Sequence, residues 1–504
     1  MAEQNKIPQK ISTRKLKPPI NEGKIGLLPT FECDDFHLAR SVAFRKIKKI
    51  DPHVRDRFAE EIVKLFYDFY PDSLEVNEHL PEGYIELNHV YRDDRKVAAG
   101  LLGGARDAFY FILQNLKNEF SWDANSEVIM PSFTCVVIVN PVLWSGLKPV
   151  FVDSSKKSFN NSLEGIVSAV TDNTKLILIQ HTFGLPFPVL ELKQKLKEMG
   201  REDIFLVEDL AHSLGESYSL QGNKQDNKRD NKRGAKLGVE SDFAIMTFGV
   251  EKMISTVRGG AVLLNLASER LAKLRLLFRE SYRELPELPK ANQTKLNLNP
   301  VFWEVALKLY KFGYGKLTIG KALIWLAHRI GFLGVEIELE EYSGGKPSYI
   351  PSKLPEKQAI LGLNQIEKLA RFNQGRREIA KVYSGIIELT SYKNNPEQEY
   401  IKNIIENDLP HAFHRYPLLL ESEEERNQIV RRAKKYGIVL GDWYKSMFYT
   451  KEEHLSELGY TSGDCPITEE IKDRIVNLPT SPNISEANLR AIRKILLVKG
   501  NNEV

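Results

Sequence analysis

A chain of 504 residues is longer than one core usually serves, so two or three domains are expected, and 42% hydrophobic with 27% charged residues is ordinary globular composition. A net charge of +4 is a weak basic excess over this length and argues against a nucleic-acid partner. Cys33, Cys135 and Cys465 are far apart with no CxxC pair, which excludes a disulfide framework or zinc site, predicts no metal and fits a reducing cytoplasm.

Residues 1–34 read as an N-terminal arm, polar and basic as far as residue 30, without the apolar core of a secretory signal. No run of 18 or more apolar residues predicts a spanning helix. Residues 35–264 read as N-terminal helices followed by a large α/β domain. FAEEIVKLFYDFY is helical in pattern, and from about residue 97 helices alternate with short apolar strands. AGLLGGARDAFYFILQNL begins with glycines and continues as an amphipathic helix. SEVIMP, KPVFVD, KLILIQH, DIFLVED, SDFAIMTF and GGAVLLN are brief runs rich in Val, Ile, Leu and Phe. Such alternation predicts a mostly parallel sheet covered on both faces, with ligands bound beyond the carboxyl ends of its strands. The polar residues that end strands, Asp153, His181 and Asp209, therefore carry more interest than those inside.

QGNKQDNKRDNKRG at 221–234 reads as a solvated loop, with an anionic ligand contact as the alternative. Residues 265–345 read as an amphipathic helical insert. Its stretch 301–334 has two readings: packing on the body or a second subunit, or docking on an anionic membrane with Lys308, Lys311, Lys321 and Arg329 snorkelling. Residues 346–504 read as a smaller α+β domain, with helical EKQAILGLNQIEKLARFNQGRREIAKVYSGII, a strand in HAFHRYPLLL and a helix in ERNQIVRRAKKYGIVL.

Three motifs bear chemistry. In VEDLAHSLGE, Asp209 ends an apolar strand, where a carboxylate can cap a helix, orient a histidine, bind a metal or pair with a cationic ring; His212 follows three residues on, and alone reads as structural. In SDFAIMTFGVEKMISTVRGGAVLLN, Lys252 lies in a loop between strands, where desolvation and nearby positive charge would free its amine as a nucleophile; most lysines are simply surface groups. In GGARDAF, a Gly-rich turn opens a helix whose unpaired amides suit a phosphate. Together these supply what pyridoxal phosphate needs: amides for its phosphate, a carboxylate for its ring nitrogen and a lysine for its aldehyde.

The order and spacing of IMPSFTCVVIVNPVLWSGLKPVFVD, HTFGLP, VEDLAHSLGE, TFGVEK with RGGA, LPEKQAILGLNQIEKL, HRYPLLL and GDCPITEEIKDRIVNLPTSPNIS resemble the DegT/DnrJ/EryC1/StrS aminotransferases. The resemblance runs over about 97–264 and 353–495 and implies an α/β fold-type I pyridoxal-phosphate transferase with a large mostly parallel-sheet domain and a smaller C-terminal α+β domain. It implies Lys252 as the catalytic lysine and Asp209 as the pyridinium partner, and puts Thr247, Ala105 and Arg106 at the phosphate. His212 falls beside the phenolic oxygen and Cys135 over the ring face. Many relatives reach the phosphate with an Asn from the neighbouring subunit; here Pro351 stands at about that place, with Lys353 as the substitute, and His181 is a candidate substrate contact.

The implied activity is transfer of an amino group from an amino acid, L-glutamate by resemblance, to a keto-sugar nucleotide in surface polysaccharide or secondary-metabolite biosynthesis, by a cytoplasmic homodimer. The alternatives are another chemistry on a sugar or a non-catalytic binding or regulatory protein. Relatives that dehydrate carry His in place of the lysine, so Lys252 weighs against that subclass.

Overall fold

The computed structural model describes residues 31–44, 51–67, 80–87, 97–217, 236–266, 269–314, 317–332, 337–407, 409, 411–481 and 483–497; the arm at 1–30 and the polar loop at 221–234 lie outside the described residues. Eight strands form the central sheet: β1 (Tyr84–Leu87), β2 (Val97–Leu102), β3 (Glu127–Pro131), β4 (Lys148–Val152), β5 (Thr174–Gln180), β6 (Phe205–Asp209), β7 (Phe243–Thr247) and β8 (Gly260–Asn265). Their order is β1-β2-β8-β7-β6-β5-β3-β4. The block from β4 to β7 is parallel, and β8, β2 and β1 continue it antiparallel.

Helices cover both faces, which is why the middle strands are apolar on both sides. Ile177 and Ile179 of β5 join the core under α2 (Val54–Lys64), α5 (Leu163–Ala169) and α6 (Val189–Glu198). Leu176 and Leu178 join the opposite core under α3 (Ala105–Phe120), α4 (Val136–Trp144) and α7 (Glu269–Glu284). Val97–Leu102, partly in the stretch read as glycines leading into a helix, is a fully buried strand, and the helix begins only at Ala105. The strand gains its ladder from β8, a non-local partner that helical or turn propensity does not reveal.

The expected insert divides. Helix α7 packs on the large domain, with Phe278 edge-on to Phe111 of α3 at 5.5 Å. Helix α8 (Lys290–Lys308), the ribbon β9 (Gly313–Tyr314) and β10 (Leu317–Thr318), and α9 (Ile319–Arg329) project beyond it. Helix α8 is tied to α1 (Cys33–Ala43) by Arg40 Nη1 donating to Glu304 Oε1 at 2.6 Å.

The C-terminal part holds α10 (Glu356–Ile366), α11 (Leu369–Ile387), α12 (Pro396–Glu406), β11 (Arg415–Leu419), α13 (Glu423–Lys435), α14 (Pro466–Arg474), β12 (Ile475–Pro479) and α15 (Glu486–Leu497), with β11 and β12 antiparallel. Its core around Tyr383, Tyr416 and Ile492 also takes in Phe133, Phe159 and Phe183 from turns beyond the sheet. No helix among the described residues is long and apolar enough to cross a membrane.

Candidate active site

A cavity of about 340 Å³ opens at the carboxyl ends of the parallel strands. Gln180, Asp209 and Ile245 are register neighbours across β5, β6 and β7, so the ends of adjacent strands deliver Gln180, Asp209 and, two residues further on, Thr247 to one place. The turn after β3 adds Thr134 and Cys135, and the turn after β2 adds Gly103, Gly104, Ala105 and Arg106 at the start of α3. β8 must pass close beneath that start: a Cβ on Gly260 would stand 2.4 Å from the Gly104 carbonyl carbon and 2.7 Å from the Ala105 nitrogen. Any side chain at Gly260 would push the helix start out of place.

Lys252 enters from the loop between β7 and β8. Its Nζ lies 3.5 Å from His212 Nε2 and 4.5 Å from the centre of the Trp443 ring. The rings of His212 and Trp443 are stacked at 5.2 Å, and His414 stacks on His212 at 5.0 Å. The Phe183 amide donates to His212 Nδ1 at 3.2 Å, so the neutral ring carries its proton on Nε2, facing the lysine. Phe183 lies in the His181–Gly184 turn, where Gly184 has φ +87° and a Cβ would meet the His212 carbonyl oxygen at 2.9 Å. Burial raises the proton affinity of the Asp209 carboxyl, against the Ala211 amide that donates to its Oδ1 at 2.9 Å and the positive charge of Lys252. A buried carboxylate facing a cavity in this way favours a cationic partner.

Burial, with the charge of Lys252 behind it, holds His212 well below the ordinary histidine range. Burial does the same to His414, and it pushes His411 down to about 4. The unfolded chain takes up protons that these rings refuse when folded. Their contribution to stability is therefore complete above about pH 6.5 and is lost as pH falls below it, by up to about 1.4 kcal/mol per ring per pH unit. Thermal unfolding followed from pH 7.5 to 5 should show Tm falling with pH across this window; a flat profile would contradict these buried neutral rings.

The structure brings Lys252, Asp209, His212, Thr247, Ala105, Arg106 and Cys135 to one cavity. It leaves two expected residues elsewhere. His181 is fully buried behind the sheet end: its Nε2 meets Glu208 Oε2 at 2.9 Å and its Nδ1 accepts from the Phe187 amide at 3.0 Å. Both ring nitrogens are engaged, so a substrate contact is corrected to a packing role. Lys353 turns away from the cavity of its own chain, donating to the Arg283 carbonyl at 3.1 Å and lying over the Tyr282 ring at 5.6 Å.

The charge of Arg106 is matched internally. Its Nη1 donates to both oxygens of Glu341, a fully buried residue whose Oε2 also accepts from the Glu338 amide at 2.8 Å. Burial works against the guanidinium, and the Glu341 carboxylate overcomes it, so the pKa of Arg106 is raised. Glu341→Ala should destabilise the fold by about 3–5 kcal/mol by leaving a buried cation unpaired, read as a lower unfolding midpoint in denaturant. An unchanged midpoint would show that the pair is dispensable.

Sequence reasoning missed several lining residues: Gln180, Arg258, Asn292, Lys295, Glu338, Trp443, Tyr444 and Tyr449. Arg258 donates from Nε to the Gly103 carbonyl at 3.3 Å and from Nη1 to the Tyr349 hydroxyl at 3.1 Å, which sets its guanidinium beside the start of α3. The aromatic cluster in GDWYKSMFY was the available signal for Trp443, Tyr444 and Tyr449.

A flat cation with an anionic tail and an aldehyde suits this cavity, and the residues present fit pyridoxal phosphate: a buried carboxylate for the ring nitrogen, aromatic and thiol groups for the ring, helix-start amides for the phosphate and an amine for the aldehyde. Fold and cavity together define a pyridoxal-phosphate-dependent transferase of fold type I. The chain belongs to the DegT/DnrJ/EryC1/StrS aminotransferase family, whose sequence pattern matches residues 104–287 and 334–496.

Among its relatives is the UDP-N-acetyl-3-dehydro-alpha-D-glucosamine 3-aminotransferase of Acidithiobacillus ferrooxidans, 21% identical over 371 residues that cover 73% of this chain and 76% of that protein. In fold it is similar to Helicobacter pylori PseC, an aminotransferase involved in the biosynthesis of pseudoaminic acid, with a TM-score of 0.60 and 17% identity over 94% of this chain and 98% of the other. It is likewise similar to the pyridoxal-phosphate form of the sugar aminotransferase Spr1654 from Streptococcus pneumoniae, with a TM-score of 0.60 and 16% identity over 94% and 97% of the two chains.

Proposed function

We propose that this aminotransferase takes an amino group from an amino acid, L-glutamate, and gives it to the keto group of a nucleotide-linked sugar, acting in the cytoplasm as a homodimer in surface polysaccharide or secondary-metabolite biosynthesis. The observation that carries the reading is the meeting of Lys252 and Asp209 in one cavity whose lining, apolar in large part, also includes Asn292, Lys295 and Arg258. Those three groups suit a hydroxylated acceptor that carries phosphate. The names of the relatives support the same substrate class.

When bound, pyridoxal phosphate supplies an aldehyde that carries the amino group and a ring that draws electrons from the carbon losing its proton. The chain does the rest. Asp209, held in a low-dielectric site, keeps positive charge on a ring nitrogen beside it. The amides of Ala105 and Arg106, with the Thr247 hydroxyl, receive the phosphate. Lys252 Nζ, over the face of the Trp443 ring and beside His212, would take and return the proton, and the Nε2 proton of His212 would be a donor to an oxygen placed near it.

The test is an absorption spectrum before and after L-glutamate, followed by single-turnover transfer to a panel of keto-sugar nucleotides. A visible band that glutamate shifts and one keto-sugar nucleotide restores supports the reading. A band that glutamate leaves unchanged, or that no keto-sugar nucleotide restores, rejects the donor or the acceptor respectively.

A further inference from the structure

Helix α9 presents an apolar face that nothing among the described residues covers. Ile319, Ala322, Leu326 and Ile330 recur at helical spacing along one side, with Trp325 and Arg329 beside them. Trp325 is 64% exposed and Ile330 66%, and Phe312, in the ribbon that leads into the helix, is 60% exposed. Isolated exposed hydrophobics are common on protein surfaces; a helical stripe of them flanked by a tryptophan is not.

The charge around this face has one sign. Residues 290–332 hold six lysines and one arginine against Glu304 alone, a net +6, whereas the whole chain is only +4. The remainder of the protein is therefore slightly acidic, and the basic character is concentrated in α8, the ribbon and α9. The single acid is already engaged, accepting from Arg40 and from Lys308 at 2.6 Å. Arg329 lies over the Trp325 ring at 5.7 Å and Lys321 over the Tyr310 ring at 5.9 Å, so two cations flank the apolar stripe at the level of its aromatic rings.

We propose that the face of α9 is a docking surface for an anionic lipid bilayer, lying in the plane of the interface with Trp325, Leu326 and Ile330 in the acyl boundary and the surrounding lysines among the headgroups. Charge decides between the occupants. A second copy would set the cations beside this face, Lys321 and Arg329, against their own copies, which opposes a homotypic contact, whereas anionic headgroups complement them. Length also fits: α9 has 11 residues, too short to span and long enough to lie flat. Gly331, directly after this helix, lines the active-site cavity, so docking would hold the mouth of the cavity at the lipid surface.

The experiment uses the full-length enzyme with its cofactor, sedimented with phosphatidylcholine vesicles and with vesicles containing about one third phosphatidylglycerol. The expected result is binding to the anionic vesicles alone, weakened by added salt and accompanied by a blue shift of tryptophan emission. The double variant Trp325→Glu, Leu326→Glu should bind at least about tenfold more weakly, with the visible absorption band and elution volume unchanged. Trp325→Ala with Ile330→Ala, a milder change, should weaken binding in the same direction. Failure of the wild-type protein to sediment, or equal binding to neutral vesicles, overturns the proposal. So does a change of oligomeric mass in either variant, which would assign the face to a contact between copies.

Discussion

Lys252→Ala abolishes the visible absorption band of the reconstituted enzyme and lowers amino transfer by at least about 10²–10⁴-fold, the scale of a lost positioned acid–base group. The size of the effect follows from the neighbours of Nζ. It stands 3.5 Å from His212 Nε2 and 4.5 Å from the Trp443 ring centre, in a cavity where no other lysine but Lys295 lines the wall. Lys295 belongs to α8 and not to the loop between β7 and β8. The Lys252 side chain is partly buried and lies in a loop outside the strand ladder, so Tm should change little. A variant that retains the band, or that loses it only by unfolding, contradicts this assignment.

Asp209→Asn has the second-largest expected effect on activity, a fall of about 10²–10³-fold, typical of removing one preorganised electrostatic contact. The amide is nearly isosteric and its oxygen can still accept from the Ala211 N–H, so the local turn survives. What disappears is a carboxylate whose ionised form burial disfavours. The fold should therefore keep its stability or gain some, while the affinity for pyridoxal phosphate falls and the band moves. Titration of the apo protein with the cofactor, beside a thermal melt, reads both. Loss of stability with unchanged cofactor affinity would make Asp209 a structural residue.

The central strands were legible because their continuous runs of large apolar residues, such as Leu176–Ile179, have no other reading between turn residues. Val97–Leu102 was not, since Ala98, Ala99 and Gly100 carry little β preference and the segment is a strand only through its pairing with β8. The same limit explains His181. Glu208 and Asp209 are consecutive and point to opposite faces of the sheet; Asp209 faces the cavity, and His181 follows Glu208 to the other side. Position at a strand end shows that a residue is near the site, but not which way it turns. Lys252 and Asp209 were legible because motif spacing places both. Trp443 and Tyr449 come from an irregular segment with no period to read, and Asn292 and Lys295 from a helix outside the family pattern.

That last group makes the catalytic centre a composite of two origins. The strand ends and the lysine loop lie inside the family pattern, which breaks off at residue 287 and resumes at 334. Leu288, Asn292, Lys295, Leu296 and Gly331 fall in the gap, yet they wall the same cavity. The lysine loop and this part of the cavity wall thus lie in separable stretches of one chain. Grafting residues 288–333 onto another member of the family should carry acceptor preference with it and leave the cofactor spectrum of the recipient as it was.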